Sequence, residues 1–255
     1  MRIAVISDIH ANLPALEACL TDIERERPDA IYCLGDLVGY NVWPNEVIEC
    51  IRSHRIPTIA GNYDVGIGSA SDDCGCAYKT EHERQLGKQS IAYTNATITD
   101  TNRAYLRGLP AHISIEYRLR SGGLYRALLV HGSPRRVNEY LFADRSDESL
   151  QRILEAAGAD ILLCGHTHVP YHRTLRSEDG SIRHVINTGS VGKPHDGDPR
   201  ACYVLLSLGE RADGTLELSV EIRRTHYDVE RAARAIEKSP LPDAYAQMLR
   251  RGGPR

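Results

Sequence analysis

The chain has 255 residues, of which 42% are hydrophobic and 25% charged, and its formal net charge is −3. That composition excludes a disordered or collagen-like chain, and the charge excludes a strong overall positive field for gripping nucleic acid. No apolar run reaches the roughly 18 residues needed to cross a bilayer, and the opening MRIAVISDIH lacks the apolar core and cleavage site of a signal peptide. Seven cysteines lie scattered at 19, 33, 50, 74, 76, 164 and 202, most of them inside apolar runs. An odd, scattered set suits buried free thiols, so a cytoplasmic protein is expected.

Taken in chain order, residues 2–7 (RIAVIS) read as a strand, rich in β-branched residues. Leu16, Leu20 and Ile23 recur at helical spacing over 14–27, with Pro14 suited to a first turn. Residues 30–34 (AIYCL) read as a second strand, 45–54 as an amphipathic helix capped by Asn45, and 56–60 (IPTIA) as a third strand. This alternation predicts parallel strands joined by right-handed crossovers. Residues 61–79 are a long loop rich in Gly, Ser, Asp and Cys. Helices are predicted over 80–97 and 101–107, then a hairpin of 111–118 and 124–130 around Ser121-Gly122-Gly123. A helix at 147–157 and a strand at 160–164 restore the earlier rhythm. Strands near 171–176, 182–186, 201–207 and 215–224 read as antiparallel, followed by helices over 228–238 and 242–250 and a frayed GGPR end. The expected fold is α/β: one domain over 1–255, a two-sheet β-sandwich flanked by helices.

The residues just past the strand ends carry the chemistry. Asp8-Ile9-His10 comes after the first strand, Gly35-Asp36 after the second, and Gly61-Asn62-Tyr63-Asp64 after the third. His131-Gly132 comes after LYRALLV, and Gly165-His166-Thr167-His168 after ADILLC. Open α/β sheets place their sites at these C-terminal strand ends. Taken singly, Asp8 and His10 are ordinary loop residues, Gly61-Asn62 is a turn, and His131 is a structural histidine. Together, Asp, His and Asn offer oxygen and imidazole nitrogen to borderline divalent ions such as Mn²⁺, Fe²⁺ or Zn²⁺. In extended backbone, Asp-x-His and His-x-His each aim two side chains at one region.

The ordered set Asp-x-His, Gly-Asp, Gly-Asn-x-Asp, an isolated His and Gly-His-x-His resembles the calcineurin-like metallophosphoesterase superfamily. Residues 187–192 (Asn-Thr-Gly-Ser-Val-Gly) resemble a loop of its small bacterial phosphodiesterase-like branch. The resemblance implies an αββα sandwich and two divalent metal ions. Asp8, His10 and His168 would hold the first ion, Asn62, His131 and His166 the second, and Asp36 would bridge them. It further implies hydrolysis of a phosphodiester or another small phosphorylated substrate by a hydroxide shared between the ions. Protein-serine/threonine phosphatase and dinucleoside polyphosphate hydrolase activities fit the same pattern, as does a non-catalytic metal-binding scaffold of this fold. No dedicated nucleic-acid or membrane partner is expected, and oligomeric state is left open.

Two departures stand out. The family's Gly-Asp-x-x-Asp is Gly35-Asp36-Leu37-Val38-Gly39 here, without its second Asp. Tyr63 stands where many members carry the His thought to protonate the leaving group. A phenol of pKa about 10 holds its proton at neutral pH and gives it up less readily than an imidazolium. Tyr63 is therefore expected to donate that proton or to position substrate, with good leaving groups preferred. Arg135, four residues after His131, could fork onto phosphate oxygens. Lys193, His195 and Asp196 lie in a polar loop that could border the pocket. Cys74-Gly75-Cys76 is a weak metal signal by itself, but its loop could overhang the site.

Overall fold

A computed structural model of the chain describes residues 1–176 and 180–253. In order, its elements are β1 (Arg2–Ile6), α1 (Leu13–Glu26), β2 (Ala30–Cys33), α2 (Pro44–Ser53), α3 (Asn62–Gly68), α4 (Glu81–Thr97) and α5 (Asp100–Arg107). Next come β3 (His112–Arg118), β4 (Leu124–Val130), α6 (Asp147–Ala157), β5 (Ile161–Cys164), β6 (Tyr171–Arg176) and β7 (Ile182–Asn187). The last are β8 (Ala201–Glu210), β9 (Leu216–Thr225), α7 (Val229–Glu237) and α8 (Asp243–Arg251).

The strands form two mixed sheets, ordered β2-β1-β8-β9 and β3-β4-β5-β7-β6. β1 runs parallel to β2, and β5 runs parallel to both β4 and β7. The other pairings are antiparallel. Because side chains alternate along a strand, each sheet divides its apolar residues between two layers. Ile3, Val5, Val204 and Leu206 of the first sheet meet Ala127, Leu129, Ile161, Leu163 and Ile186 of the second, forming the core between the sheets. Ala4, Ile6, Tyr203 and Leu205 face the other way, onto α1, α2, α7 and α8. Leu128, Leu162 and Val185 pack against Leu150, Ile153 and Leu154 of α6. Each buried Ile, Leu or Val contributes about 1.5–3 kcal/mol, so three apolar layers fix where the strand ends lie. The result is the expected helix–sheet–sheet–helix sandwich.

Four local expectations are corrected. Residues 56–60 make no strand: Cys33 bridges Thr58 alone, and Pro57 lacks the N–H that a longer ladder needs. The 61–79 loop begins with a helix, α3, because the Asp64 carboxylate accepts from the Gly61 N–H and closes its first turn. Asn45 does not cap α2. Pro44 is already inside the first turn, and Asn45 instead bonds Thr97 O (2.9 Å) and the Thr99 N–H (2.9 Å). The tail is not frayed at Gly252 and Gly253, which are buried; the Gly197 N–H donates to Gly252 O (2.9 Å). Pro254 and Arg255, which complete the predicted frayed end, lie outside the described residues.

Candidate metal centre

The seam between the sheets gathers the strand ends. The first sheet delivers Asp8 and His10 after β1, and Asp36 after β2. The second delivers His131 after β4, and His166 and His168 after β5. Asn62 arrives as the first residue of α3. All seven side chains are buried.

The mechanism of convergence differs from the extended spacing expected. Asp8, His10, Asp36, His166 and His168 have φ of 54°, 49°, 54°, 66° and 60°. A non-glycine residue rarely adopts this left-handed region, and clusters of such residues mark functional turns. Cross-links hold them there: Asp8 N–H to Gly35 O (3.0 Å), His10 N–H to Asp36 O (2.9 Å) and Gly165 N–H to His131 O (2.8 Å). Two glycines permit the close approach. A Cβ on Gly61 would collide with the Asp36 carboxylate, and one on Gly165 with Ser7 and Asp8.

Each of these seven side chains but His166 spends one polar atom on the protein and turns another inward. Asp8 Oδ2 accepts from Ser7 Oγ (2.6 Å) and the His166 N–H (3.0 Å). Its Oδ1 makes no hydrogen bond and lies 3.2 Å from His168 Nε2. Asp36 Oδ1 accepts from the Tyr63 N–H (2.8 Å), while Oδ2 sits 3.5 Å from His10 Nε2 and 3.4 Å from His131 Nε2. Its Oδ2 thus faces both groups. The Nδ1 atoms of His10, His131 and His168 donate to Val38 O (2.9 Å), Leu34 O (2.8 Å) and Lys193 O (2.6 Å). Asn62 Nδ2 donates to Cys74 O (2.8 Å), so Oδ1 points to His131 Nε2 at 3.1 Å.

Two groups result: Asp8, His10 and His168, and Asp36, His131 and His166, with the ligand atoms of each within 4.8 Å of one another. The donor set fits divalent cations. His10 Nε2 and His168 Nε2 face each other at 3.1 Å. Since both rings already donate from Nδ1, their neutral forms oppose two lone pairs, a contact that a cation between them relieves. His166 Nε2 is likewise buried without a hydrogen-bond partner.

Electrostatics point the same way. Burial opposes the charge on Asp8, yet His168, His131 and His10 hold its carboxyl well below the usual carboxylate range. Asp36 is also lowered, by His131 and His10 against burial. Burial pushes His10 down to about 3 and His166 down to about 4, so both rings are neutral at pH 7, the form that can hold a cation. On His131 burial opposes a proton, but Asp36 and Asp8 outweigh it and raise the ring to about 10. The carboxylates draw positive charge into the cluster.

The other residues singled out in the sequence fall differently. Tyr63 lines the cleft over the cluster, edge-on to His10 with ring centroids 5.4 Å apart. Burial drives its phenol well above the ordinary value, with Tyr40 and Cys76 adding to the effect. Arg135 is not brought to this cleft. It pairs with Glu139, four residues on, and borders a separate cavity. Asp196 pairs with Arg224, whereas Lys193 and His195 do line the cleft. The loop after α3 overhangs the site through Cys76, Ala77 and Tyr78. Cys76 Sγ accepts from Asn62 Nδ2 at 3.4 Å.

Three supports carried no assigned role in the sequence. Ser7 orients Asp8. Asp64 takes the N–H groups of Asp36 (2.7 Å), Leu37 (2.9 Å) and Gly61 (2.9 Å), and so locks the Asp36 turn. The 187–192 loop ties the two sheets: Asn187 Nδ2 donates to Gly165 O (2.7 Å), and Ser190 Oγ donates to Asp8 O (2.7 Å). The Asp in Gly-Asn-x-Asp was the available signal for Asp64; Ser7 had none.

Comparison with known proteins gives the family and the fold. The profile of the calcineurin-like phosphoesterase superfamily domain matches residues 1–211. The chain belongs to that superfamily. It is 32% identical over 263 aligned positions to an uncharacterized protein of Methanocaldococcus jannaschii, covering 97% of this chain and 96% of the relative. Its structure is similar to that of a metallophosphoesterase from Sphaerobacter thermophilus (28% identity, TM-score 0.72, 99% of each chain covered). It also shares the fold of a hypothetical protein from Pyrococcus horikoshii (24% identity, TM-score 0.77, 100% and 99% covered). Among the described residues, no helix is long and apolar enough to cross a membrane.

Proposed function

We propose that this protein is a single-domain, cytoplasmic, metal-dependent phosphoesterase that hydrolyses a phosphodiester or another small phosphorylated compound in the cleft over the seam. Asp8, His10 and His168 hold one divalent cation, Asn62, His131 and His166 hold a second, and Asp36 is shared. The observation that carries this reading is the inward set of potential ligand atoms on His10, Asn62, His131 and His168, each side chain fixed by a second bond on its far side. Asp, His and Asn without Cys suit Mn²⁺, Fe²⁺ or Zn²⁺. The chemistry that a bound pair supplies is polarisation of phosphoryl oxygens and a water made nucleophilic at neutral pH.

The chain's own residues do the rest. The left-handed turns fix the backbone at Asp8, His10, Asp36, His166 and His168 before substrate arrives, which reduces the reorganisation needed during reaction. The cleft, about 470 Å³, is walled by Tyr40, Tyr78, Tyr140 and Phe142, which suits an ester carrying an apolar or planar group. Tyr63 keeps its proton at pH 7 and faces the same space, where it donates that proton to the leaving group or orients the ester.

Metal-stripped protein titrated with Mn²⁺ tests the reading on a nitrophenyl phosphodiester and the matching monoester. Metal-dependent turnover, faster on the diester, is expected. Two bound ions per chain with no turnover of either ester would overturn it. Tyr63→Phe isolates the proton donor: rates on poor leaving groups should fall more than rates on good ones. Equal rates on poor leaving groups would leave Tyr63 a positioning residue.

A further inference from the structure

The cleft contains a cation that the seven ligating residues do not use. Lys193 is only 7% exposed, yet among the described residues no carboxylate lies within 4.0 Å of its ammonium. Glu83, which lines the same cleft, accepts instead from the Lys79 N–H at 2.7 Å. The Lys193 Nζ donates to His195 Nε2 at 2.6 Å and stands 4.2 Å from the Tyr40 ring centroid. An imidazole lone pair and a π face orient an ammonium without neutralising it. A buried ammonium without a counter-charge is costly, and a visiting anion offsets that cost.

The loop holds this ammonium beside one half of the centre. The Lys193 N–H donates to Ser190 Oγ (2.8 Å), which donates to Asp8 O (2.7 Å). The Lys193 carbonyl accepts from His168 Nδ1 (2.6 Å), so the residue that orients His168 also places the charge. The His195 ring lies 4.5 Å from that of His168, and the Tyr40 ring 4.8 Å from that of His10, centroid to centroid. The ammonium is therefore one ring's breadth from two candidate ligands, among the residues that line the cleft.

We infer that Lys193 is a substrate-recognition residue whose ammonium takes an anionic oxygen of the phosphoryl group, with His195 and Tyr40 as positioning residues. The ligand class is a phosphate ester anion, selected against neutral esters of the same shape. That the anion is a reacting ester rests on the phosphoesterase reading; recognition of the oxyanion needs only the cleft.

The test is calorimetric binding of inorganic phosphate to Mn²⁺-loaded wild-type protein, Lys193→Gln and Lys193→Arg, with metal content measured in parallel. A charge-assisted hydrogen bond corresponds to about tenfold or more in affinity. Lys193→Gln should weaken phosphate binding by that factor with metal content unchanged, while Lys193→Arg, which keeps the charge, retains more. In turnover, KM for the nitrophenyl diester should rise more than kcat falls. Phosphate bound equally well by Lys193→Gln overturns the inference. Should Lys193→Gln fail to fold, His195→Asn, which frees the ammonium without removing it, should weaken phosphate about threefold, and no change there overturns it too. Lys193-dependent phosphate binding in a wild-type protein that turns over no ester would overturn the phosphoesterase reading while leaving this one standing.

Discussion

The two halves of the centre are supported unequally. In the Asp8–His10–His168 half, all three side chains are anchored by hydrogen bonds: to Ser7, to Val38 O, and to Lys193 O in the loop tied back to Asp8. In the Asn62–His131–His166 half, only His131 is anchored to a sheet strand's end, through Leu34 O. Asn62 depends on Cys74 in the loop after α3. His166 leans on the Tyr140 ring, with centroids 4.0 Å apart, and its Nε2 has no hydrogen-bond partner. Supports behind a ligand set its orientation, and losing one typically costs about 10–100-fold in metal affinity. The first half is preorganised; the second is completed by two loops.

The sharpest break of this contrast is Asp36→Asn, since the proposed centre shares Asp36 and its Oδ2 lies within 3.5 Å of His10 Nε2 and 3.4 Å of His131 Nε2. Metal content should fall in both, and turnover should drop by about a thousandfold or more. Loss confined to one half, read by metal analysis of the folded variant, would show that Asp36 is not shared. A smaller effect comes from stepwise dialysis against a weak chelator. The Asn62 half should empty first, leaving one ion per chain. Tyr140→Ala should widen the gap by about tenfold. Simultaneous loss of both ions would mean that the two halves are equally strong.

The same contrast explains what could be read from sequence. Asp8, His10, Asp36, His131, His166 and His168 stand just behind apolar runs that became strands, so they were visible once the runs were. Asn62 was visible as chemistry but not as structure. Its turn becomes a helix because Asp64, two residues on, reaches back to Gly61, and the supposed strand before it is cut short at Pro57. The left-handed φ values were not legible, because they follow from bonds between residues distant in sequence, such as Asp8 N–H to Gly35 O. Lys193 was legible as a polar-loop residue that could border the pocket, but not as a buried one. Its burial depends on Gly192 pressing against Ile9, where a side chain would clash with the carbonyl. Arg135 misleads for the opposite reason: proximity to His131 along the chain suggests phosphate, but Glu139 four residues later claims the guanidinium.

Glu139 offers the smallest effect and probes the weaker half through pH. It lies in the loop that carries Tyr140, and it accepts from Ser133 Oγ (2.5 Å) and Arg135 Nε (3.0 Å), with Arg145 3.1 Å away. Partial burial pushes its carboxyl up, but hydrogen bonds from Arg135 and Ser133 outweigh this and hold it at about 2, against an ordinary value of 4.5. A depressed folded-state pKa means that the stabilisation is complete above about 4.5 and is lost as pH falls through about 2. Wild type should therefore melt above Glu139→Gln at pH 7, and the difference should close between those two values. Hydrogen exchange in that window should rise across 132–145 while 7–10 stays protected, because Asp8 is held well below the usual carboxylate range. Equal loss of protection in both segments would mean that the Tyr140 loop does not separately support His166, and that the two halves loosen as one.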